Sequence, residues 1–228
     1  MNGLFVTGTD TGVGKTLVSC ALLSALGRQG YVVQGMKPVA SGCERTAQGL
    51  RNDDALSLMQ HSTTRLPYST VNPYAFEEAA APHLLAAQSN VVIDADVIRQ
   101  QYLEISAQCQ QVVVEGAGGW QVPLNHRQTM ADLAALLQLP VVLVVGIRLG
   151  CINHALLTYR SIIDSGLTCL GWVANEIDAS MQLSSENIQS IEHRIDAPLL
   201  GRIPYSERPD IQAMADSLDL SCYASRRV

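Results

Sequence analysis

The sequence predicts a doubly wound α/β domain with a mainly parallel sheet flanked by helices. Three observations lead there. Several apolar runs are continuous rather than alternating, as strands covered on both faces require. Amphipathic stretches separate them at helical spacing. The 228 residues, 47% hydrophobic and 16% charged, fit one domain, residues 1–228, with material for a sizeable core.

Leu4-Phe5-Val6 is the first strand. From Lys15, the residues Leu17, Val18, Ala21, Leu22, Ala25 and Leu26 recur at three- and four-residue spacing, and Gly30 suits the stop of that helix. Tyr31–Val33 is a weaker strand, with Val39 and its neighbours as its extension. Asp53 to His61 opens with acids, as a helix N-terminus favours. From Ser62 to Gln110 the pattern is broken by Pro67, Pro73 and Pro82, an irregular excursion that closes on a helix around Asp94 to Gln108. Val112–Val114, Val141–Val145 and Leu170–Ala174 are further strands, and Leu199–Gly201 a weaker one. Thr129–Leu139, Asn153–Ser165 and Ser184–Ile195 are helices. Such alternation implies right-handed crossovers.

A net charge of −6 argues against a nucleic-acid partner, since phosphate neutralisation needs a basic surface, and only Arg226-Arg227 stand together as a basic pair. Six scattered cysteines form no C-x-x-C pair, which speaks against structural zinc and for a reducing compartment. The start Met1-Asn2-Gly3-Leu4-Phe5 does not read as a signal peptide. No apolar run is long enough to cross a bilayer. A soluble, cytoplasmic protein with no membrane partner is the expectation. The basic residues are thirteen arginines and two lysines, Lys15 and Lys37. An ammonium approaches a phosphate as a compact point charge where a planar guanidinium is bulkier.

Both lysines stand in suggestive places. Gly8-Thr9-Asp10-Thr11-Gly12-Val13-Gly14-Lys15-Thr16 follows the first strand and opens a helix. That order builds a phosphate cradle, with backbone N–H groups facing the anion, Lys15 on the terminal phosphates and the Thr16 hydroxyl on Mg²⁺. The strict spacing G-x-x-x-x-G-K-T needs glycine at position 9, where this chain has Thr9. Lys37, in Gly35-Met36-Lys37-Pro38, projects near the same sheet edge.

Acidic partners for a metal are Asp53, Asp54 and Glu115; the first two also suit plain helix capping. Glu115 ends a buried strand and precedes Gly116, Ala117, Gly118 and Gly119, a costly place for a carboxylate unless it binds something. Asn175 closes another strand with an amide suited to a nucleobase edge. With Asp178 it loosely echoes N-K-x-D, but Glu176 replaces the lysine. Ile203-Pro204-Tyr205 suits either a wall for the base or a turn with an exposed aromatic. All these fall at the carboxyl ends of strands, where open α/β sheets hold ligands.

Thr7–Thr16, Lys37–Gly42, Leu50–Ala55, Val71–Tyr74, Val114–Trp120, Gly150–Ala155 and Trp172–Asn175 together resemble the dethiobiotin synthetase family, in order and over nearly the whole chain. The resemblance implies a P-loop NTPase-like fold and an ATP-dependent, Mg²⁺-assisted ring closure of 7,8-diaminopelargonate with CO₂ to dethiobiotin, through a carbamate phosphorylated by ATP. It implies that Lys37 and Lys15 are catalytic, and that Thr16, Asp54 and Glu115 hold Mg²⁺. ATP contacts carried over are Gly12, Val13, Gly14, Lys15, Thr16, Leu17, Asp54, Glu115, Gly116, Ala117, Gly118, Asn175, Glu176, Pro204, Tyr205 and Ser206. Substrate contacts carried over are Thr11, Ser41, Gly150, Cys151, Ile152 and Asn153, the last four across a homodimer interface. Two departures stand out: Gly12, where some members carry an acid, and the stretch Ser206–Asp210, which matches loosely.

The rival reading is a ParA/MinD-like ATPase switch of the same fold. That group carries a second lysine early in the phosphate loop, and this loop has none. Leu218 to Val228 also lacks the basic amphipathic face of a membrane-binding tail. Ligases that carry a glutaminase domain need more chain than this one has.

Overall fold

The computed structural model describes residues 3–224. The terminal Met1-Asn2, the Arg226-Arg227 pair and the end of the 218–228 tail lie outside the described residues. The chain opens with β1 (Gly3–Gly8), α1 (Lys15–Arg28), β2 (Val33–Met36) and β3 (Val39–Ala40). An excursion follows: β4 (Glu44–Thr46), β5 (Gly49–Arg51), α2 (Asp53–His61), α3 (Tyr68–Val71), β6 (Tyr74–Ala75), α4 (Pro82–Gln88) and α5 (Ala95–Ser106). The second half runs β7 (Gln111–Glu115), α6 (Met130–Leu137), β8 (Val141–Ile147), α7 (Cys151–Asp164), β9 (Cys169–Glu176), α8 (Ser184–Glu192), β10 (Leu199–Ile203), α9 (Ile211–Asp216) and α10 (Ser221–Ala224).

Six strands form one sheet in the order β10-β9-β8-β1-β7-β2, every pairing parallel. Strands β1, β7 and β8 are buried along their whole length, the burial their unbroken apolar runs anticipate. Side-chain alternation divides the core. Leu4, Val6, Val113, Val142, Val144 and Val173 face a cluster with Leu22, Leu26 and Met214 of α1 and α9. Phe5, Val112, Val114, Leu143, Val145 and Trp172 face the other, with Ile98, Leu133 and Ile162 of α5, α6 and α7. Each such side chain contributes roughly 1.5–3 kcal/mol on burial, which fixes the register of the strands and so the alignment of their carboxyl ends.

The second strand starts two residues later than its apolar signal, and Val39 does not extend it. Instead β3 leaves the main sheet and pairs with β6, Val39 opposite Tyr74 and Ala40 opposite Ala75. Lys37 and Pro38 make the corner. The small β4–β5 hairpin, Glu44 opposite Arg51, also stands apart from the main sheet.

From β1 the chain passes to β2, returns to β7 between them, then crosses β1 to reach β8, β9 and β10. The reversal beside β1 is the switch point at which such sheets open a crevice. Gly14 (φ 88°) and Gly150 (φ 93°) begin α1 and α7 in the left-handed region, and no side chain caps either helix. Their first-turn N–H groups point to the same carboxyl edge. By contrast α2, α5 and α6 are capped by Asn52, Asp94 and Thr129. Among the described residues no helix is long and apolar enough to cross a membrane.

Candidate active site

The loop after β1 curls back on itself, because the Lys15 ammonium donates to the Asp10 carbonyl at 3.1 Å. It is held from below by Asn175. That buried amide at the end of β9 donates to the Val13 carbonyl at 2.9 Å. A Cβ on Gly14 would lie 2.1 Å from its nitrogen, so glycine is required there twice over, for space and for φ. Gly12 (φ 74°) faces open space with nothing within 4 Å. The acid at Asp10 accepts from the Thr11 N–H (2.7 Å) and pairs with Arg148 at the end of β8. Those contacts, the Thr11 N–H foremost, hold its carboxyl below the ordinary range.

Four polar side chains from four elements converge beside this loop. Lys37 Nζ, just past β2, lies 2.5 Å from Glu115 Oε1 and 2.8 Å from Asp54 Oδ2. Thr16 of α1 donates its hydroxyl to the same Glu115 oxygen at 2.9 Å. Burial alone would drive the Lys37 ammonium toward neutrality, but the charges of Glu115 and Asp54 outweigh it and hold its pKa above the ordinary value. Asp54 is likewise burdened by burial, yet Lys37, Thr16 and Lys15 keep it below the usual carboxylate range. Among the described residues Lys15 makes no such bond to an acid: burial, then the charge of Lys37, pushes it down to about 8. Two cations and two carboxylates thus share one pocket, with Lys15 the member whose charge is least compensated.

The cleft has a volume of about 690 Å³. Of the residues expected from the sequence it brings together Thr11, Gly12, Gly14, Lys15, Thr16, Lys37, Ser41, Asp54, Glu115, Ala117 and Gly118. Three others stand just behind its wall. Val13 is in the core, Leu17 packs against the same cluster, and Gly116 sits under the Phe5 ring.

A second group lies elsewhere. The carboxylate of Glu176 is taken by Arg202 and by the Ser184 hydroxyl, at 2.7 and 2.8 Å. Pro204, Tyr205 and Ser206 form an exposed loop after β10 and do not line the cleft. Gly150 to Asn153, at the start of α7, do not line it, with Cys151 buried and Gly150 and Asn153 exposed. Sequence reasoning missed Asn52 and the wall formed by Ala79, Ala80, Ala81 and Pro82, which carry no distinctive chemistry. It also missed a neighbouring groove of about 450 Å³, which meets the cleft at Thr11 and Val122 and is lined by Trp120 and Gln121 among others.

The donor set suits Mg²⁺. Glu115 is fully buried, and its Oε2 has no hydrogen-bond partner among the described residues. A carboxylate oxygen so placed needs a cation or a donor from outside. With Asp54 and the Thr16 hydroxyl it offers only hard oxygens, in the small number that Mg²⁺ takes from protein when phosphates and water complete its shell.

A family model described as an AAA domain matches residues 2–212. A relative from Xanthomonas oryzae pv. oryzae, named ATP-dependent dethiobiotin synthetase BioD, is 52% identical over 216 residues, covering 95% of this chain and 96% of its own. The chain belongs to the ATP-dependent dethiobiotin synthetases. Other dethiobiotin synthetases similar to it come from Cellvibrio japonicus, 52% identical with 95% of each chain covered, and Pseudomonas aeruginosa, 50% identical with 96% and 97% covered. Among solved structures, the septum site-determining protein MinD from Pyrococcus horikoshii, complexed with Mg-ADP, aligns with a TM-score of 0.58. It covers 99% of this chain and 89% of its own at 15% identity. Aquifex aeolicus MinD gives 0.55 at 16% identity, with 95% and 86% covered. Likeness at that identity is one of fold, so the dethiobiotin synthetase family shares its architecture with the rival group, while sequence separates them.

Proposed function

We propose that the cleft closes the ureido ring of dethiobiotin, joining 7,8-diaminopelargonate to CO₂ at the expense of ATP. One amine of the diamine adds to CO₂ and loses a proton, giving a carbamate. A carbamate oxygen attacks the γ-phosphorus and the bond to the β-phosphate oxygen breaks, releasing ADP. The second amine then attacks the carbamate carbon and gives up a proton, the C–O bond to phosphate breaks, and phosphate leaves as the ring closes.

The juxtaposition of Lys15 and Lys37 in one cleft carries this reading, because carbamate and phosphoryl donor are both anions and must be held in contact. Lys15 grips the transferring phosphoryl group. Lys37, held by Glu115 and Asp54, faces the carbamate side. Thr11 and Ser41 supply polar contacts to the diamine. Thr16, Asp54 and Glu115 would hold Mg²⁺, which neutralises phosphate charge when bound. Gly12 to Leu17 and Gly116 to Gly118 surround the phosphates, and Asn175, Glu176, Pro204, Tyr205 and Ser206 are the candidates for the adenine end. Gly150, Cys151, Ile152 and Asn153 would receive the substrate carboxylate from a second copy in a homodimer, using the uncapped N–H groups of α7. Residues 1–228 act as one domain, in the cytoplasm, without nucleic acid or membrane.

Phosphate release tests it. With ATP, Mg²⁺ and bicarbonate present, release must depend on 7,8-diaminopelargonate and match dethiobiotin formed. Hydrolysis stimulated only by DNA or lipid would instead favour the switch reading.

A further inference from the structure

Lys37 and Asp54 are seventeen positions apart, and their side chains meet where the Lys37 backbone and the N-cap of α2, two residues before Asp54, are both tied to one short helical turn. That turn is α3. The Lys37 N–H donates to the Val71 carbonyl at 2.9 Å. Its carbonyl accepts from Asn72 Nδ2 at 2.7 Å. Lys37 is therefore fixed at both of its backbone polar groups. Asn72 is buried, and its remaining amide capacity goes to the Tyr74 carbonyl at 3.2 Å.

The other arm runs through Tyr68. Its hydroxyl donates to Asn72 Oδ1 at 2.8 Å and accepts from the Asn52 N–H at 2.8 Å. Asn52 is the N-cap of α2, accepting from Ala55 N at 3.2 Å, and Asp54 sits in the first turn of that helix. The Asn52 amide also reaches the Ser41 carbonyl at 3.5 Å. Arg51 stacks over the Tyr68 ring at 4.2 Å and pins it in place.

We infer that Tyr68 and Asn72 are positioning residues: a brace that sets the Lys37 ammonium and the Asp54 carboxylate at working distance. Neither residue lines the cleft. The brace has two ends with different consequences. Loss of the Asn72 end frees the backbone that carries Lys37. Loss of the Tyr68 hydroxyl also releases the first turn of α2 and with it Asp54. Among the described residues no hydrogen bond joins Tyr68 or Asn72 to the phosphate loop, so the grip of that loop on nucleotide should change little. Misplacing a reacting group by about 1 Å costs up to ~100-fold in rate, and a brace held by single hydrogen bonds accounts for part of that.

The inference rests on the ring-closing role of the cleft, and the experiment separates the two. Tyr68→Phe keeps the ring under Arg51 and deletes only the hydroxyl. Its kcat per nucleotide-binding site, with sites counted by equilibrium titration of ATP, is measured beside the wild type. A second readout is the Mg²⁺ concentration giving half of the thermal upshift in the presence of ADP, which does not need turnover. The expected result is a fall in kcat per site of about tenfold, a rise of threefold or more in the Mg²⁺ midpoint, and an ATP Kd within twofold of wild type. Any other pattern overturns the brace. A loss explained by fewer binding sites, with an unmoved midpoint, would make Tyr68 merely structural. Should Tyr68→Phe not fold, Asn72→Ser is judged by kcat per site and ATP Kd on the same terms. A wild-type protein that forms no dethiobiotin would instead remove the ring-closing role, with the midpoint shift still deciding the brace.

Discussion

Lys37 Nζ lies 2.5 Å from Glu115 Oε1, inside a core where the carboxylate has no solvent exposure. Removing one member of such a buried pair leaves the other charge uncompensated, a loss of about 3–5 kcal/mol. In Lys37→Gln the amide still donates a hydrogen bond, which limits that loss, but it brings no charge to a developing anion. Turnover should fall by about 10²–10³-fold, the usual cost of one transition-state donor. Far-UV circular dichroism should not change, because the core strands on either side are untouched. Steady-state rates and spectra check this, and near-normal turnover would remove Lys37 from the mechanism.

Substitutions at Gly14 and Asn175 should be coupled. Gly14→Ala would place a methyl 2.1 Å from Asn175 Nδ2 at a φ that alanine avoids. ATP affinity should drop by about 100-fold or more, the equivalent of about 3 kcal/mol. Asn175→Ala alone loses one hydrogen bond to Val13, worth about 1 kcal/mol, so affinity should fall only severalfold. Combined, the two should bind ATP better than Gly14→Ala by itself, since the smaller side chain makes room. Calorimetric titration of all three variants reads the coupling. Simple additivity would show that the clash does not control the loop.

Much of the fold is legible because continuous apolar runs leave few alternatives. Leu4–Val6, Val112–Val114 and Val141–Val145 fall in fully buried strands, and Asp53–His61 matches α2 from end to end. Misreadings cluster where pattern and burial part company. Val33–Met36 includes the buried Gln34, whose amide is satisfied by the Gly35 carbonyl, so the strand's polar member hid its true span. The β4–β5 hairpin is exposed or half-exposed throughout and has no apolar period to read. At the site, Lys15, Thr16, Lys37, Asp54 and Glu115 announce themselves by type and place. Tyr68 and Asn72 do not, since bracing depends on contacts between segments that spacing cannot reveal. Glu176 carries chemistry on paper, and the fold gives its charge to Arg202.

Thiols shielded by the fold should weaken it at alkaline pH. Burial pushes Cys169 up to about 12 and Cys109 to about 11; Cys20 reaches about 12 through burial and the nearby Glu115 and Asp54 charges. The ordinary thiol value is 9.0. Between these limits the folded chain keeps protons that the unfolded chain releases, so stability is fully present below pH 9 and declines as pH rises toward 12. Thermal midpoints should therefore decline steadily above pH 9, and alkylation at pH 8 should spare the buried Cys20 and Cys169 until the chain is unfolded. Mass spectrometry of the native protein reads the second effect; rapid native labelling of Cys169 would contradict it.

The origin of one phosphate oxygen separates attack by carbamate from attack by water. A carbamate that attacks the γ-phosphorus keeps its oxygen in the phosphate when the second amine closes the ring. In a single turnover with C¹⁸O₂, read before the gas equilibrates with ordinary water, each phosphate released should carry one ¹⁸O, and the ureido carbonyl should carry the other. Phosphate without label, formed whether or not 7,8-diaminopelargonate is present, would mean that water attacks ATP and that Lys15 and Lys37 serve a hydrolytic switch instead.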